Sequence, residues 1–404
     1  MVRPDGGRRG TMSAFVLCST PATLRSSWHR SRPCDLRPGA GVSAAGWISA
    51  RSLRRARPST LGLGTMMCVG TARETFVIAA NNVGFVELSG GDAVRFLHSR
   101  CTSDLQTAVK SATTKRSTAD HLSFVCTTLV TSNTGRMVDL VSILLMNKGD
   151  AKQHLLLMTS AARTASLVET FDKFIFPMDD VSVRDASGEY AAQYMMNQTQ
   201  ACATDAEALH FLPFGNRVPL ACVVKATKDE HAAFESTGHE ALYDLFCVEY
   251  GIPRADREIT EAYNPLEAGL WQFVSFSKGC YCGQETIARL NTYNGVKQHL
   301  VGLKFEGSVD IPPGSPLFAA ASIDESELEG SKPVGIITSS NGTLALGYVR
   351  TRALGNETEL LAKLSSETSN EGKVTPDRYC RVYRRELALM TRSFEESEDN
   401  NQDV

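Results

Sequence analysis

The chain has 404 residues, 42 Lys plus Arg against 45 Asp plus Glu, and a formal net charge of −3. That is room for two or three domains and a large core, and the apolar and charged fractions are those of an ordinary globular protein. No run approaches the roughly 18 uninterrupted apolar residues of a membrane-spanning helix, which argues against a membrane role.

The first 72 residues have a different composition. They hold eleven arginines, no lysine, and only Asp5 and Asp35 as acids, among many serines and alanines. This is the composition of an organelle transit peptide, the alternative being a basic tail that binds nucleic acid. Without it, Lys plus Arg falls to 31 and Asp plus Glu to 43, so the remaining body is near −12. An acidic body argues against direct binding to a nucleic-acid backbone.

Eleven cysteines are scattered without a C-x-x-C pair or a His-x-x-x-His partner. No metal site is expected from that pattern, and most of these residues read as core thiols. Cys280-x-Cys282 is the one close pair.

In chain order, an apolar segment from Thr75 to Val86 turns at Asn81-Asn82. Val94, Leu97, Cys101 and Leu105 then fall on one helix face behind the capping residue Asp92. His98 on that helix reads as a base or, more plainly, as a surface or capping histidine. Strands are expected over Leu122 to Thr128 and Met137 to Met146, joined by Ser132-Asn133-Thr134-Gly135, and again over Leu155 to Met158. Ser160 can cap a helix carrying Leu167, Val168, Phe171, Phe174 and Ile175, and Val181 to Val183 begins another strand. Strand pairs interleaved with helices predict an α+β fold, and neither a Gly-x-Gly-x-x-Gly nor a P-loop is present.

The stretch from Tyr190 to Pro219 is polar and carries no clear pattern. A helix from Ala241 to Tyr250 stops at Gly251, with Pro253 beyond. After Gln298, short strands over Val301 to Phe305, Val334 to Thr338, Leu344 to Val349 and Glu359 to Leu364 predict a small β-barrel. Ser322 to Lys332 reads as an exposed acidic loop, and the tail from Glu395 as disordered.

Between these regions lies the densest chemistry, Lys278-Gly-Cys-Tyr-Cys-Gly-Gln-Glu-Thr-Ile-Ala-Arg289. Gly279 and Gly283 bracket Cys280, and either could take a positive φ. Lys278 is a nearby cation, and the helix expected from Glu285 would place the loop at a positive helix end. Both effects favour a thiolate. The plain alternative is a turn with a buried structural cysteine.

The wording Lys-Gly-Cys-Tyr-x-Gly-Gln-Glu, with Ala288-Arg289 after it, resembles the signature of the YgfZ family. These are folate-binding relatives of the glycine-cleavage T-protein (an aminomethyltransferase), and include mitochondrial factors that mature iron–sulfur proteins and a plant chloroplast branch. Gln284 to Leu290, followed by Tyr293-Asn-Gly-Val-Lys-Gln298, is most similar to the chloroplast branch.

The resemblance implies a T-protein-like, multi-lobed ring of mixed sheets and helices around a folate-sized hole, plus a C-terminal small β-barrel. It divides the chain into a transit peptide (1–72), a folate-binding domain (73–298), the barrel (299–390) and an acidic tail (391–404). It implies tetrahydrofolate or a one-carbon derivative as ligand, and iron–sulfur assembly machinery or client proteins as partners. The plastid is the preferred location and the mitochondrion the alternative.

Cys280, Asp139 and Lys278 would be the reactive set, with Glu267, Arg289, Tyr281, Gln284 and Glu285 toward the cofactor. Asp139 matches the first of two successive acids in the T-protein, but Leu140 stands where the second would be. Asp139 could equally be an exposed strand residue, and Glu267 a carboxylate at a helix start. Two further functions stay open: folate-dependent aminomethyl or other one-carbon transfer, and support of tRNA modification through iron–sulfur enzymes.

Overall fold

The computed structural model describes residues 75–115, 121–198, 208–227, 240–309, 311–320, 331–354, 359–363 and 379–389. The expected transit segment, the acidic tail and nearly all of the acidic loop lie outside the described residues. Thr71–Val404 forms one compact unit.

Two antiparallel sheets and a barrel make up this unit. The four-stranded sheet takes β1 (Phe76–Ala79), β7 (Tyr190–Met196), β8 (Ala208–Phe211) and β9 (Leu220–Ala226) in the order β1-β7-β9-β8. The five-stranded sheet takes β2 (Val83–Gly90), β3 (Leu122–Thr131), β4 (Met137–Met146), β5 (Gln153–Ser160) and β6 (Ser182–Asp185) in the order β3-β4-β5-β2-β6. The barrel closes through β10 (Gln298–Phe305), β13 (Leu344–Arg350), β12 (Gly335–Ser340), β11 (Pro316–Ala319), β14 (Leu360–Lys363) and β15 (Tyr379–Arg385). The predicted α+β class and C-terminal barrel are therefore present.

The five-stranded sheet is covered on both faces, which is why β5 reads Leu155-Leu-Leu-Met158 without polar alternation. Leu155 and Leu157 pack with Val86, Leu88 and Ile143 in a core shared with α1 (Ala93–His98) and α3 (Ala161–Asp172). Leu156 and Met158 face the other way, into a core with Ile78, Ala192, Tyr194 and Val224 of the second sheet. Phe246 and Cys247 of α4 (Glu240–Tyr250) join that second core, as do Leu346 and Tyr348 of β13. Core packing therefore ties the barrel to both sheets.

The single helix expected through Val94 and Leu105 is two helices, α1 and α2 (Leu105–Lys115). The break is made by side chains that satisfy backbone groups locally. Ser99 Oγ donates to Phe96 O at 2.7 Å, Thr102 Oγ1 donates to Phe273 O at 2.6 Å, and Asp104 accepts from the Thr107 amide as a cap for α2. Cys101 meanwhile bridges to Val130 beside the sheet.

His299 on β10 gives the fold a measurable pH limb. Burial, then the charge of Arg384, pulls its pKa down from 6.5 to about 4. Below pH 6.5 the unfolded chain binds a proton that the folded chain refuses, so stability is full above that pH and is lost as pH falls toward 4. The loss is up to about 3 kcal/mol. Urea unfolding at pH 7 and pH 5 should show this drop in the natural protein and a flatter response in His299→Gln; equal pH dependence in the two would refute it.

Candidate functional site

Two places concentrate chemistry: the Lys278–Arg289 loop and a cavity between the sheets. The loop is held by the hairpin between β3 and β4 and by the turn after α1. Gly135 and Gly283 both have positive φ, at +73° and +78°. They touch so closely that a Cβ on Gly283 would lie 2.5 Å from Gly135 Cα and from Ser132 O. Thr131 Oγ1 donates to Cys282 O at 2.6 Å, and the Cys282 amide donates to Ser99 O at 3.1 Å. Gly279, in contrast, needs no special φ.

Lys278 does not serve the Cys280 thiol. Its ammonium is buried and donates to the carbonyls of His98, Cys101 and Ser103, so it anchors the loop to the turn after α1. The same Nζ lies 5.0 Å from the centroid of the Tyr281 ring. Burial lowers the Lys278 pKa and pushes the Tyr281 hydroxyl up to about 12. Cys280 itself is exposed.

The cation that does meet a thiol is Arg100, whose Nη1 donates to Cys282 Sγ at 3.2 Å. His98 Nε2 lies 3.9 Å from where a Cβ on Gly279 would stand, and its Nδ1 is 3.8 Å from Asp104 Oδ1. Burial, followed by the charge of Lys278, holds the His98 pKa below its usual value. His98 is therefore a largely buried imidazole beside the loop, rather than a surface histidine.

α5 (Gln284–Thr292) starts behind Gly283 as its N-cap and buries Ile287. Glu285 and Arg289 lie on its exposed side, paired with each other at 2.9 Å. Such a surface pair contributes little to stability. Glu267 is buried, and both its oxygens have protein partners: the Asn264 amide at 3.0 Å, Arg136 Nη1 at 3.4 Å and Gln298 Nε2 at 3.3 Å. Asn264 Oδ1 in return accepts from the amides of Leu266 and Glu267. This is the turn-capping geometry, and it knits the β3–β4 hairpin to the start of the barrel.

The cavity has a volume of about 450 Å³, within the range of small-molecule sites. Of the site residues singled out in the sequence, Asp139 is the one that lines it. Asp139 is 2% exposed, which overturns its reading as an exposed strand residue. Its Oδ2 accepts from the Ser160 amide at 2.9 Å, from Ser160 Oγ at 3.1 Å and from the Thr159 hydroxyl. Its Oδ1 accepts from the Leu140 amide at 2.9 Å. Burial raises its pKa, and these hydrogen bonds oppose the shift.

Across the cavity, Tyr194 and Tyr243 stack at 4.2 Å with rings parallel to 1°. Beside them, Arg254 pairs with the Asp244 carboxylate and donates to Ser339 Oγ of β12 at 3.1 Å, while its amide donates to Glu258 Oε2 at 3.0 Å. Glu258 is fully buried and takes Ser339 Oγ at 2.6 Å. Sequence reasoning missed Arg254, Asp244 and the tyrosine pair, although Arg254 follows the Gly251-Ile-Pro253 stop of α4 and could have been noticed there.

With this geometry in hand, the similarities are informative. In structure, the chain is similar to the glycine cleavage system aminomethyltransferase T of Bartonella henselae, with a TM-score of 0.54 and 14% identity over 78% of this chain and 86% of that one. The fold class is thus aminomethyltransferase-like. In sequence, it is 26% identical over 317 residues to a chloroplastic candidate transferase of Arabidopsis thaliana, covering 69% of this chain and 67% of the relative. It is 41% identical over 73 residues to the tRNA-modifying protein YgfZ of Buchnera aphidicola, and 27% identical over 237 residues to a mitochondrial iron–sulfur cluster assembly factor homologue of Mycosarcoma maydis. These last two are matched over 23% and 58% of their own lengths. No protein-family model matches the chain. Within that fold class, the sequence similarities are to YgfZ proteins and to relatives named for the chloroplast and the mitochondrion.

Proposed function

We propose that the protein is an organellar, folate-binding factor of the YgfZ type that supports assembly or repair of iron–sulfur proteins, in the plastid rather than the mitochondrion. The observation that carries the folate reading is the 450 Å³ cavity with a buried carboxylate, Asp139, on one wall and a partly buried cation, Arg254, on another.

The residues fit that ligand class. A pterin edge offers neighbouring N–H donors, and Asp139 Oδ1, engaged by one amide, keeps acceptor capacity for them. The stacked tyrosines supply a flat apolar wall, and Arg254 and Arg257 supply cations for the glutamyl carboxylates. A bound reduced folate would supply one-carbon chemistry at its ring amines. The protein's part is to orient the ring, exclude water and hold a proton acceptor at Asp139. The ligand-facing assignment therefore moves from Glu267 and Arg289, which do not line the cavity, to Asp139 and Arg254, which do.

The iron–sulfur part rests on the relatives and on exposed Cys280, open to a protein or cluster partner. Plastid location rests on the chloroplastic relative. Aminomethyl transfer is disfavoured because Leu140, not a second acid, lines the cavity beside Asp139. Glycine-dependent turnover with a lipoyl carrier would reverse that judgement.

Titration of the full chain with tetrahydrofolate tests the reading. Saturable binding is expected in the natural protein. A hydrogen bond involving a charged group contributes about 1.5–3 kcal/mol, so Asp139→Asn should weaken binding roughly ten- to a hundredfold. Unchanged affinity in folded Asp139→Asn would remove the cavity from folate recognition.

A further inference from the structure

The cavity leaves the loop thiols unexplained. Tyr281 turns into the core, whereas Cys280 before it is exposed and Cys282 after it is half-buried. The two thiols flank the Tyr281 ring at a turn closed by the Gln284 amide on Tyr281 O at 3.2 Å. Cys282 is the better supported of the two. Arg100 Nη1 reaches its sulfur at 3.2 Å, and Asn133 Oδ1 accepts from it at 3.5 Å.

Arg100 is itself fixed in place. Its guanidinium lies 4.0 Å from the centroid of Phe174 and 5.5 Å from that of Phe96. Its buried Nε has no hydrogen-bond partner among the described residues. A stacked cation at hydrogen-bond distance from a sulfur stabilises negative charge that develops on it during reaction. The buried thiols Cys101, Cys222 and Cys247 are the opposite case, with burial pushing each pKa up.

We propose that Cys280 and Cys282 are a thiol–disulfide exchange pair for a low-molecular-weight disulfide of the glutathione class, with Cys280 taking the incoming sulfur and Cys282 resolving it. The exposed Cys280 thiolate attacks one sulfur of the small disulfide. The new S–S bond forms as the old one breaks, and the departing thiolate takes up a proton. Cys282, whose sulfur faces Arg100, then gives up its proton, attacks Cys280 Sγ and expels the second small thiolate, which is protonated in turn. The protein dithiol loses two electrons and two protons, and the small disulfide gains them as two thiols.

Cα atoms two residues apart are separated by at most about 7.2 Å, and disulfides close at Cα separations up to about 6.8 Å. Closure is therefore a local adjustment of the turn, and an exposed disulfide of this kind is labile and readily reduced. Cys282 thus becomes a working residue of the loop rather than a packing group. The inference does not rest on folate binding.

The test is to expose the reduced full chain to oxidised glutathione, quench with acid, and follow intact mass with peptide mapping. The natural protein should pass through a short-lived Cys280 adduct and end with a Cys280–Cys282 disulfide. Cys282→Ser should stop at a stable Cys280 adduct, and Cys280→Ser should form little adduct in the loop. The Arg100 contact to the Cys282 sulfur is a charge-assisted one, so Arg100→Gln should prolong the adduct about tenfold, and Arg100→Lys should restore most of the rate. A stable Cys280 adduct in the natural protein, as in Cys282→Ser, would overturn the proposal. So would resolution at the natural rate in Arg100→Gln, or a mapped disulfide to another cysteine. The Cys282→Ser comparison leaves Arg100 untouched, so it decides the matter even if Arg100→Gln does not fold. Tetrahydrofolate titration of the same samples reads the cavity separately.

Discussion

Gly283→Ala should destabilise the protein by about 3–5 kcal/mol, combining left-handed strain with forced overpacking. Gly283 sits at φ +78°, and the atoms a Cβ would strike are backbone: Gly135 Cα and Ser132 O at 2.5 Å, and Gly135 N at 2.6 Å. Backbone cannot rotate away as a side chain can, so hairpin and loop must separate. Thermal unfolding should fall on the order of 10 °C for a domain of this size. Gly149→Ala is the matched control, because Gly149 has φ +76° with nothing within 4 Å of the added carbon. It carries the strain without the collision and should cost about 1–2 kcal/mol. Equal losses in the two variants would mean that the Gly135–Gly283 contact contributes nothing.

That contact also explains what could be read from the sequence. The glycines, the hairpin and the signature helix are local features, and local letters located them. The segments that failed were those whose structure depends on partners far along the chain. β7 and β8 lie in the stretch that carried no pattern, and they form because β9 pairs with both of them. β11 and β15, missed in the barrel, are likewise defined by their neighbours β12, β14 and β10. The helix through Leu105 was misread because Thr102, a plausible helical residue by period, is drawn to Phe273 O across 171 positions.

The same distinction holds at the sites. Asp139 was legible as chemistry, but its burial was not, since Thr159 and Ser160 on β5 supply it. Lys278 looked like a partner for Cys280 because it is two residues away. The long side chain instead reaches back to three carbonyls after α1. Arg100, 182 positions from Cys282, is invisible to any spacing argument.

Arg254→Met is the second change with a large expected effect. The Arg254 side chain is 14% exposed and meets Asp244, and its removal withdraws positive charge from beside the fully buried carboxylate of Glu258. Asp244 is half exposed and the Arg254 amide keeps its bond to Glu258 in the variant, so the cost is that of lost charge-assisted hydrogen bonds and a nearby charge, about 1.5–3 kcal/mol. Arg254 also donates to Ser339 on β12, so the loss is shared between the cavity wall and the barrel. If the lost positive charge is the cause, the double change Arg254→Met with Glu258→Gln should recover part of the stability in urea unfolding. A double variant less stable than Arg254→Met alone would place the cause in lost packing instead. The ligand arm separates binding from folding. In variants verified as folded, Arg254→Met should weaken tetrahydrofolate binding about tenfold or more, yet leave binding of a reduced pterin without the glutamyl tail unchanged. Equal weakening for both ligands would move Arg254 from tail recognition to maintenance of the cavity, and the cation for the carboxylates would then have to be Arg257, which lines the same wall.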